Sequence, residues 1–297
     1  MPPTDAVKPG VNPICCLTLD VEPDYGRADS CAILDRAEPF FDWLRAERMP
    51  LMAFVTGELL DRGHRVLDLL NDAGASLGVH GHRHAAGDFG TMRDSHAGEI
   101  ERSADAYSRR IGRPPRGYRA PAGIISREDI LLLDRRGFRY DASVFPLRRP
   151  GRYDFAGLPR TPFRWEGTRL VEMPFGLMTS FLPAGMTFIN LLGAPLSAGL
   201  IRRAARLLPF GAGAAGYVID LHLHNLFSHP PALRSVPAAM RLMYRTGEWG
   251  GGLPRLQKLV GRLRLYGFAF RDLEADVVRR KSEDLPACGF DCFERAP

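Results

Sequence analysis

Leu77-Gly78-Val79-His80-Gly81-His82-Arg83-His84 decides how this chain is read. A short apolar run ends in three alternating histidines. Val79 closes a buried strand, and Gly81 permits a bend as the chain leaves it. In a straight strand, His80 and His84 would stand about 13 Å apart, at roughly 3.3 Å per residue. One ion cannot span that distance. On a helical turn, i and i+4 side chains approach to about 5–6 Å between Cβ atoms. A metal site therefore requires the chain to curl directly after His80, which turns His82 elsewhere, towards solvent or substrate. The bland alternative is a histidine-rich surface loop.

Outward from this stretch, strand-like and helix-like segments alternate. Residues 14–19 read as a buried strand ending at Asp20, with further short strands over 51–55 and 75–79. Tyr118-Arg119 ends a fourth. Helical patterns cover 33–49, 58–73, 94–111 and 126–136, with Gly74, Gly112 and Gly137 as stop signals and Ser126 as an N-cap. This order predicts βαβ units around a parallel sheet or barrel. In such folds active sites gather at the C-terminal strand ends. Asp20, His80 and Arg119 all fall at those ends.

The second half is less regular. An insertion is expected over 151–216, interrupted by a strand at 170–173. Residues 173–201 carry no charge, but Pro174, Pro183 and Pro195 break the run, which excludes a continuous membrane-spanning helix. A buried insertion or lid fits this segment, as does a surface that dips into a membrane or holds a lipid tail. The amphipathic helix over 196–208, with Arg202, Arg203 and Arg206, suits anionic headgroups or a solvated face equally. A late strand over 217–223 sets Asp220, His222 and His224 on one side by its period of two. A helix over 253–265, a closing strand and an Asp272-capped helix complete the pattern.

The chain has 297 residues, 45% hydrophobic and 25% charged, enough for one α/β domain, placed at 14–281. Residues 1–13 and the tail 282–297 are expected to be poorly ordered. The net charge of +6 is scattered as single arginines, a pattern that does not fit nucleic-acid binding. Five cysteines without a regular framework argue against a disulfide scaffold. The first 13 residues lack the layout of a secretory signal, so a cytoplasmic protein is expected.

Taken in order, five pieces recur: Thr18-Leu19-Asp20-Val21-Glu22, His80-Gly81-His82-Arg83-His84, Tyr118-Arg119-Ala120-Pro121-Ala122-Gly123, Tyr140-Asp141-Ala142-Ser143 and Asp220-Leu221-His222. This series resembles the polysaccharide deacetylase family, the carbohydrate esterase family 4-like enzymes typified by nodulation-type chitooligosaccharide deacetylase. The resemblance implies an α/β fold, a distorted (β/α) barrel with a lid-like insertion, and hydrolysis of an N-acyl amide on a sugar. Asp20 matches the catalytic base. Val21 stands where the family usually has a metal-binding Asp, and valine cannot ligate. Strand alternation returns Glu22 to the side of Asp20, which makes Glu22 the candidate ligand and Asp24 the reserve. His80 and His84 match the family's ligand pair. Arg119 matches the arginine that orients the base. Tyr140, Asp141 and Ser143 match the motif lining the substrate groove, where His82 and His224 are further candidates. His222 matches the late histidine that acts as general acid, with His224 as the alternative.

Two imidazoles and a carboxylate suit a divalent ion, Zn²⁺ first among them. Such an ion activates water and polarises the acyl carbonyl, while a protonated histidine assists departure of the amine. The resulting expectation is a metal-dependent deacetylase or deformylase acting on an N-acylated amino sugar, nucleotide-linked or polyprenyl-phosphate-linked, with peripheral contact at the inner membrane face. Two rivals remain open. One is a metal-free amidohydrolase of the same superfamily working on a ureide-like amide; the other is a non-catalytic glycan-binding relative.

Overall fold

The computed structural model describes residues 12–26, 30–84, 90–208, 216–234, 241, 245, 251–280 and 282–295. Strand β1 (Ile14–Val21) is buried along its whole length and is the axis of the molecule. It pairs in parallel with β2 (Met52–Val55) on one side and β10 (Gly216–His222) on the other. From β2 the sheet continues through β3 (Ser76–Val79), β4 (Gly117–Tyr118), β5 (Tyr140–Asp141) and β9 (Val171–Glu172), all in parallel. Strand β8 (Phe163–Trp165) then joins β9 antiparallel, so the sheet is mixed. A separate two-stranded hairpin is formed by β6 (Arg148–Arg149) and β7 (Tyr153–Asp154).

Beyond β9 the chain returns to the far edge. Bridges Phe175↔Val218 and Gly185↔Asp220 lay it against β10, curling the sheet into a half-barrel. This is the expected distorted (β/α) barrel. The uncharged run 173–201 is the wall at this edge: Met173, Phe175, Leu177, Met178, Met186 and Ile189 are buried. Burial accounts for these six, while Phe181, Leu191 and Leu196 of the same run are exposed. The run ends in α6 (Met186–Leu192) and the start of α7 (Ala194–Leu207). On α7, Arg202 lies over the Tyr266 ring at 4.6 Å instead of standing free.

The helices follow the alternation with shorter bounds. The pattern over 33–49 becomes a 3₁₀ turn at Leu34–Arg36 followed by α1 (Glu38–Ala46), with Pro39 in the first turn, where its missing N–H costs nothing. The helix expected over 58–73 divides into α2 (Gly57–Arg62) and α3 (Val66–Asp72) because Gly63 takes φ 61 as a left-handed cap. The next are α4 (Ala97–Ile111) and α5 (Arg127–Arg135); in α5 Ser126 and Asp129 form a reciprocal capping box.

Two expectations fail. The stretch 151–216 is no separate insertion, because it supplies β8 and β9 of the main sheet. The strand foreseen at 170–173 is β9, whereas β8, three residues long, carries too few side chains to show a period. The described part of the tail, 282–295, is also packed: after β11 (Ala269–Phe270), which pairs with β1, β12 (Ala287–Cys288) pairs with β8, and Phe290 and Phe293 pack on Trp165 at 5.3 and 5.6 Å between ring centroids. Aromatic burial, not polarity, governs it. Residues 1–11, read as disordered, lie outside the described residues.

Candidate active site

The site lies where β1, β3, β4 and β10 end. Register does most of the assembly: Thr18 stands beside Asp220 and Asp20 beside His222 across the β1–β10 pair. Alternation along β1 points Val21 into the core and returns Glu22, the next residue, to the side of Asp20. Both acids are buried.

The curl after His80 is present, but it is a bend and not a helix. Gly81 takes φ 60. The carbonyls of Gly81 and His82 accept from the N–H groups of Gly57 and Glu58, which start α2, at 2.9 and 3.0 Å. Glu99 Oε2 on α4 accepts from the N–H groups of His82 and Arg83 at 3.1 and 2.8 Å. The turn so fixed brings the His80 and His84 rings to 5.3 Å between centroids. Glu22, His80 and His84 then present one ligand atom each within 4.8 Å of one another. Glu22 Oε2 pairs with His84 Nδ1 and stands 3.9 Å from His80 Nε2. Asp24, the reserve, is committed elsewhere: it accepts from Ser30 Oγ at 2.6 Å and from the Ile33 N–H at 2.9 Å.

His80 Nδ1 donates to the Arg119 carbonyl at 3.0 Å. This leaves Nε2 as the lone-pair nitrogen, and that atom is buried with no hydrogen-bond partner. Burial, only partly opposed by Asp20, lowers the His80 pKa to about 4, so the ring stays neutral. Asp20 and Asp220 share the Arg119 guanidinium, while Glu22, buried beside them, faces only imidazoles among the described contacts. An orphaned imidazole nitrogen and an excess of buried negative charge fit a divalent cation held by Glu22, His80 and His84.

Arg119 is fully buried. Its Nη1 donates to Asp20 Oδ1 at 2.8 Å, Thr18 Oγ1 at 2.9 Å and Asp220 Oδ1 at 3.2 Å, and its Nε to the Ala142 carbonyl at 3.0 Å. Phe54 and Phe175 sandwich the guanidinium at 4.3 and 4.4 Å. Burial works to raise the Asp20 pKa, but Arg119, His80 and His222 together hold it below the usual carboxylate value.

His222 Nε2 lies 3.6 Å from Asp20 Oδ2, and its Nδ1 lies 3.4 Å from Asp220 Oδ2. Burial disfavours its charge, yet Asp220, Asp20 and Glu22 outweigh that and raise its pKa. His224 is no longer on the strand, because β10 ends at His222 and α8 (Leu223–Leu226) begins. It is buried between Tyr25 and the His222 ring, at centroid distances of 5.4 and 4.8 Å. Burial and His222 lower its pKa to about 3.

Of four residues read as substrate-facing, three are enclosed and His82 is half-buried. His82 turns against α2; a Cβ added at Gly57 would lie 2.5 Å from its Nδ1. Tyr140, Asp141 and Ser143 are fully buried. Tyr140 Oη donates to Met52 Sδ at 3.3 Å, and Ser143 Oγ donates to Asp141 at 2.5 Å while accepting from the Ala120 N–H at 2.7 Å. These groups brace the loop behind Arg119. Thr18 and Asp220, both bonded to Arg119, were not named as site residues. Thr18, like Asp220, was legible from alternation, since Thr18, Asp20 and Glu22 share one face of β1.

The sequence over residues 12–140 matches the polysaccharide deacetylase family model. That match runs from the start of β1 to the start of β5. No curated protein matches the sequence. A solved Mycobacterium smegmatis protein named for the polysaccharide deacetylases superposes with a TM-score of 0.59 at 15% identity, covering 95% of each chain. The PuuE allantoinase superposes with a TM-score of 0.55 at 14% identity, covering 89% of each chain. At these identities both likenesses concern the fold. Among the described residues, no helix is long and apolar enough to cross a membrane.

Proposed function

We propose that this chain is a divalent-metal-dependent N-deacetylase, or deformylase, acting on an N-acylated amino sugar. The observation that carries the reading is the convergence of Glu22, His80 and His84 beside an Asp20 already ion-paired to Arg119. Glu22, His80 through Nε2, and His84 would hold the ion, with Zn²⁺ suiting two imidazoles and a carboxylate. When bound, a divalent ion there supplies Lewis acidity and lowers the pKa of water towards about 7.

The protein's own groups perform the rest. Arg119 keeps Asp20 ionised and turns Oδ2 towards the space shared with His80 and His222. Asp20 takes the proton of the attacking water as its oxygen joins the acyl carbon. His222, kept protonated by Asp220, gives its proton to the sugar nitrogen as the C–N bond breaks, releasing carboxylate and amine. His224, neutral and enclosed, packs against the acid's ring.

The substrate is proposed to be a lipid-linked sugar. In support, Phe181, Leu191 and Leu196 of the uncharged run 173–201 are exposed and available to a polyprenyl chain. Flotation with anionic vesicles tests this; full activity on a water-soluble sugar without flotation refutes it.

Elemental analysis together with acetate or formate release from N-acyl amino sugars tests the central reading. One ion per chain, lost with activity in His84→Ala, is the expected result. Turnover by ion-free protein would replace it with the metal-free amidohydrolase reading. Sugar binding without release of acid would leave a glycan-binding relative.

A further inference from the structure

Glu172, at the end of β9, stands beside Asp141 in the parallel register of β5 and β9, and both are fully buried. Two carboxyl groups this close and away from water do not both ionise. Asp141 Oδ1 accepts from Ser143 Oγ, and Glu172 Oε1 accepts from the Val144 N–H at 3.0 Å. The other oxygens, Asp141 Oδ2 and Glu172 Oε2, are buried and find no further protein partner. One proton held between them satisfies both.

We propose that Glu172 is a positioning residue of the active site: as a protonated carboxyl it donates to Asp141 and clamps the 141–144 loop that holds Arg119. The proposal rests on the deacetylase reading given above. Each link is a buried hydrogen bond. Val144 N–H donates to Glu172, Ser143 Oγ ties Asp141 to the Ala120 N–H, and the Ala142 carbonyl accepts from Arg119 Nε. Arg119 in turn fixes Asp20. Glu172 therefore reaches the reacting atoms only through Arg119 and touches no ligand of the ion.

The charges around the pair agree. Burial and then Asp141 raise the Glu172 pKa well above the ordinary value, with the Val144 N–H and the Trp165 indole opposing. Burial raises Asp141 less, to about 6, because Glu172 and Ser143 donate to it and Arg119 is near. Both shifts are upward, as one proton held by the pair requires.

Glutamine at this position keeps a donor for Asp141 and an acceptor for Val144; leucine keeps neither. Glu172→Gln is expected to retain kcat within about threefold, whereas Glu172→Leu loses about 10- to 100-fold in kcat, the cost of a misplaced base. KM and ion content stay unchanged in both. The acid limb of the pH profile moves up in the leucine variant only, because Asp20 is held less firmly. Infrared spectroscopy adds a readout independent of turnover and of a foldable leucine variant. A buried carboxylic-acid carbonyl band should persist at alkaline pH in the wild type and vanish in Glu172→Gln. Wild-type kcat and pH profile in Glu172→Leu would overturn the proposal. Equal damage in Glu172→Gln, or no such band, would do the same. If the wild type releases no acid from any N-acyl sugar while the band is present, the substrate reading fails and the shared proton stands.

Discussion

Replacing Arg119 with methionine tests the electrostatic logic of the site. The guanidinium is fully buried and serves two carboxylates, a threonine hydroxyl and a carbonyl. Methionine keeps the packing between Phe54 and Phe175 but strands Asp20 and Asp220 without their cation. Removing one partner of a buried ion pair costs about 3–5 kcal/mol. For a domain of this size that is a melting shift of roughly 6–20 °C, at about 2–4 °C per kcal/mol. Part of the loss is relieved by protonation of Asp20, whose pKa must rise. Arg119→Lys is the milder companion. An ammonium keeps charge near Asp20 but forfeits the Nε bond to Ala142 and planar stacking, for about 2–4 kcal/mol in all. Urea unfolding at constant m-value measures both costs, and the pH profile of acid release tracks Asp20. A methionine variant within 0.5 kcal/mol of wild type, a loss of about the size expected at an ordinary surface site, would refute the assignment of Arg119 as the counter-charge. So would an unmoved acid limb.

Chelation should lower both activity and melting temperature; an ion at about 100 times its dissociation constant contributes about 2.7 kcal/mol, so reloading should restore it. His84→Ala should abolish that response and His82→Ala should leave it intact, as seen by calorimetry with and without chelator. Asp20→Asn should bind N-acyl sugar in titration calorimetry yet release no acid. Activity should fall as pH rises through the raised His222 value, since the acid must carry its proton. The same histidine stabilises the fold fully below about 6.5, its ordinary value, and that contribution disappears as pH rises through the folded one. Denaturation midpoints across pH, compared with His222→Gln, test the sign. Phe293→Ala should cost about 3 kcal/mol by removing the tail's contact with Trp165 and Phe155; an unchanged midpoint would mean the tail adds nothing.

Much of the site was legible because its residues sit at strand ends with chemistry on alternate positions. Asp20 and Glu22 follow from period two along β1, and the curl after His80 follows from the distance between two imidazoles. The rest depends on three-dimensional neighbours that local pattern does not encode. Tyr140, Asp141 and Ser143 carry polar groups yet face inward, because their partners are Met52, Glu172 and the Ala120 N–H on other segments of the chain. His224 leaves the strand face when α8 begins one residue earlier. The tail looked polar, but its few aromatic residues find a ready surface on Trp165. Strands such as β5 and β8 are two and three residues long, too short for periodicity to reveal.

The placement of β1 between β2 and β10 bears on how the protein is made. Thr18 Oγ1 donates to the Ile219 carbonyl, 201 residues later in the chain. A ribosome adding about 5–20 residues per second needs roughly 10–40 s to cover that interval. Throughout it, one apolar edge of the central strand has no neighbour, a template for pairing with another nascent chain. Yield in a recombinant host should therefore respond to chaperone supply and growth temperature more than to any surface substitution.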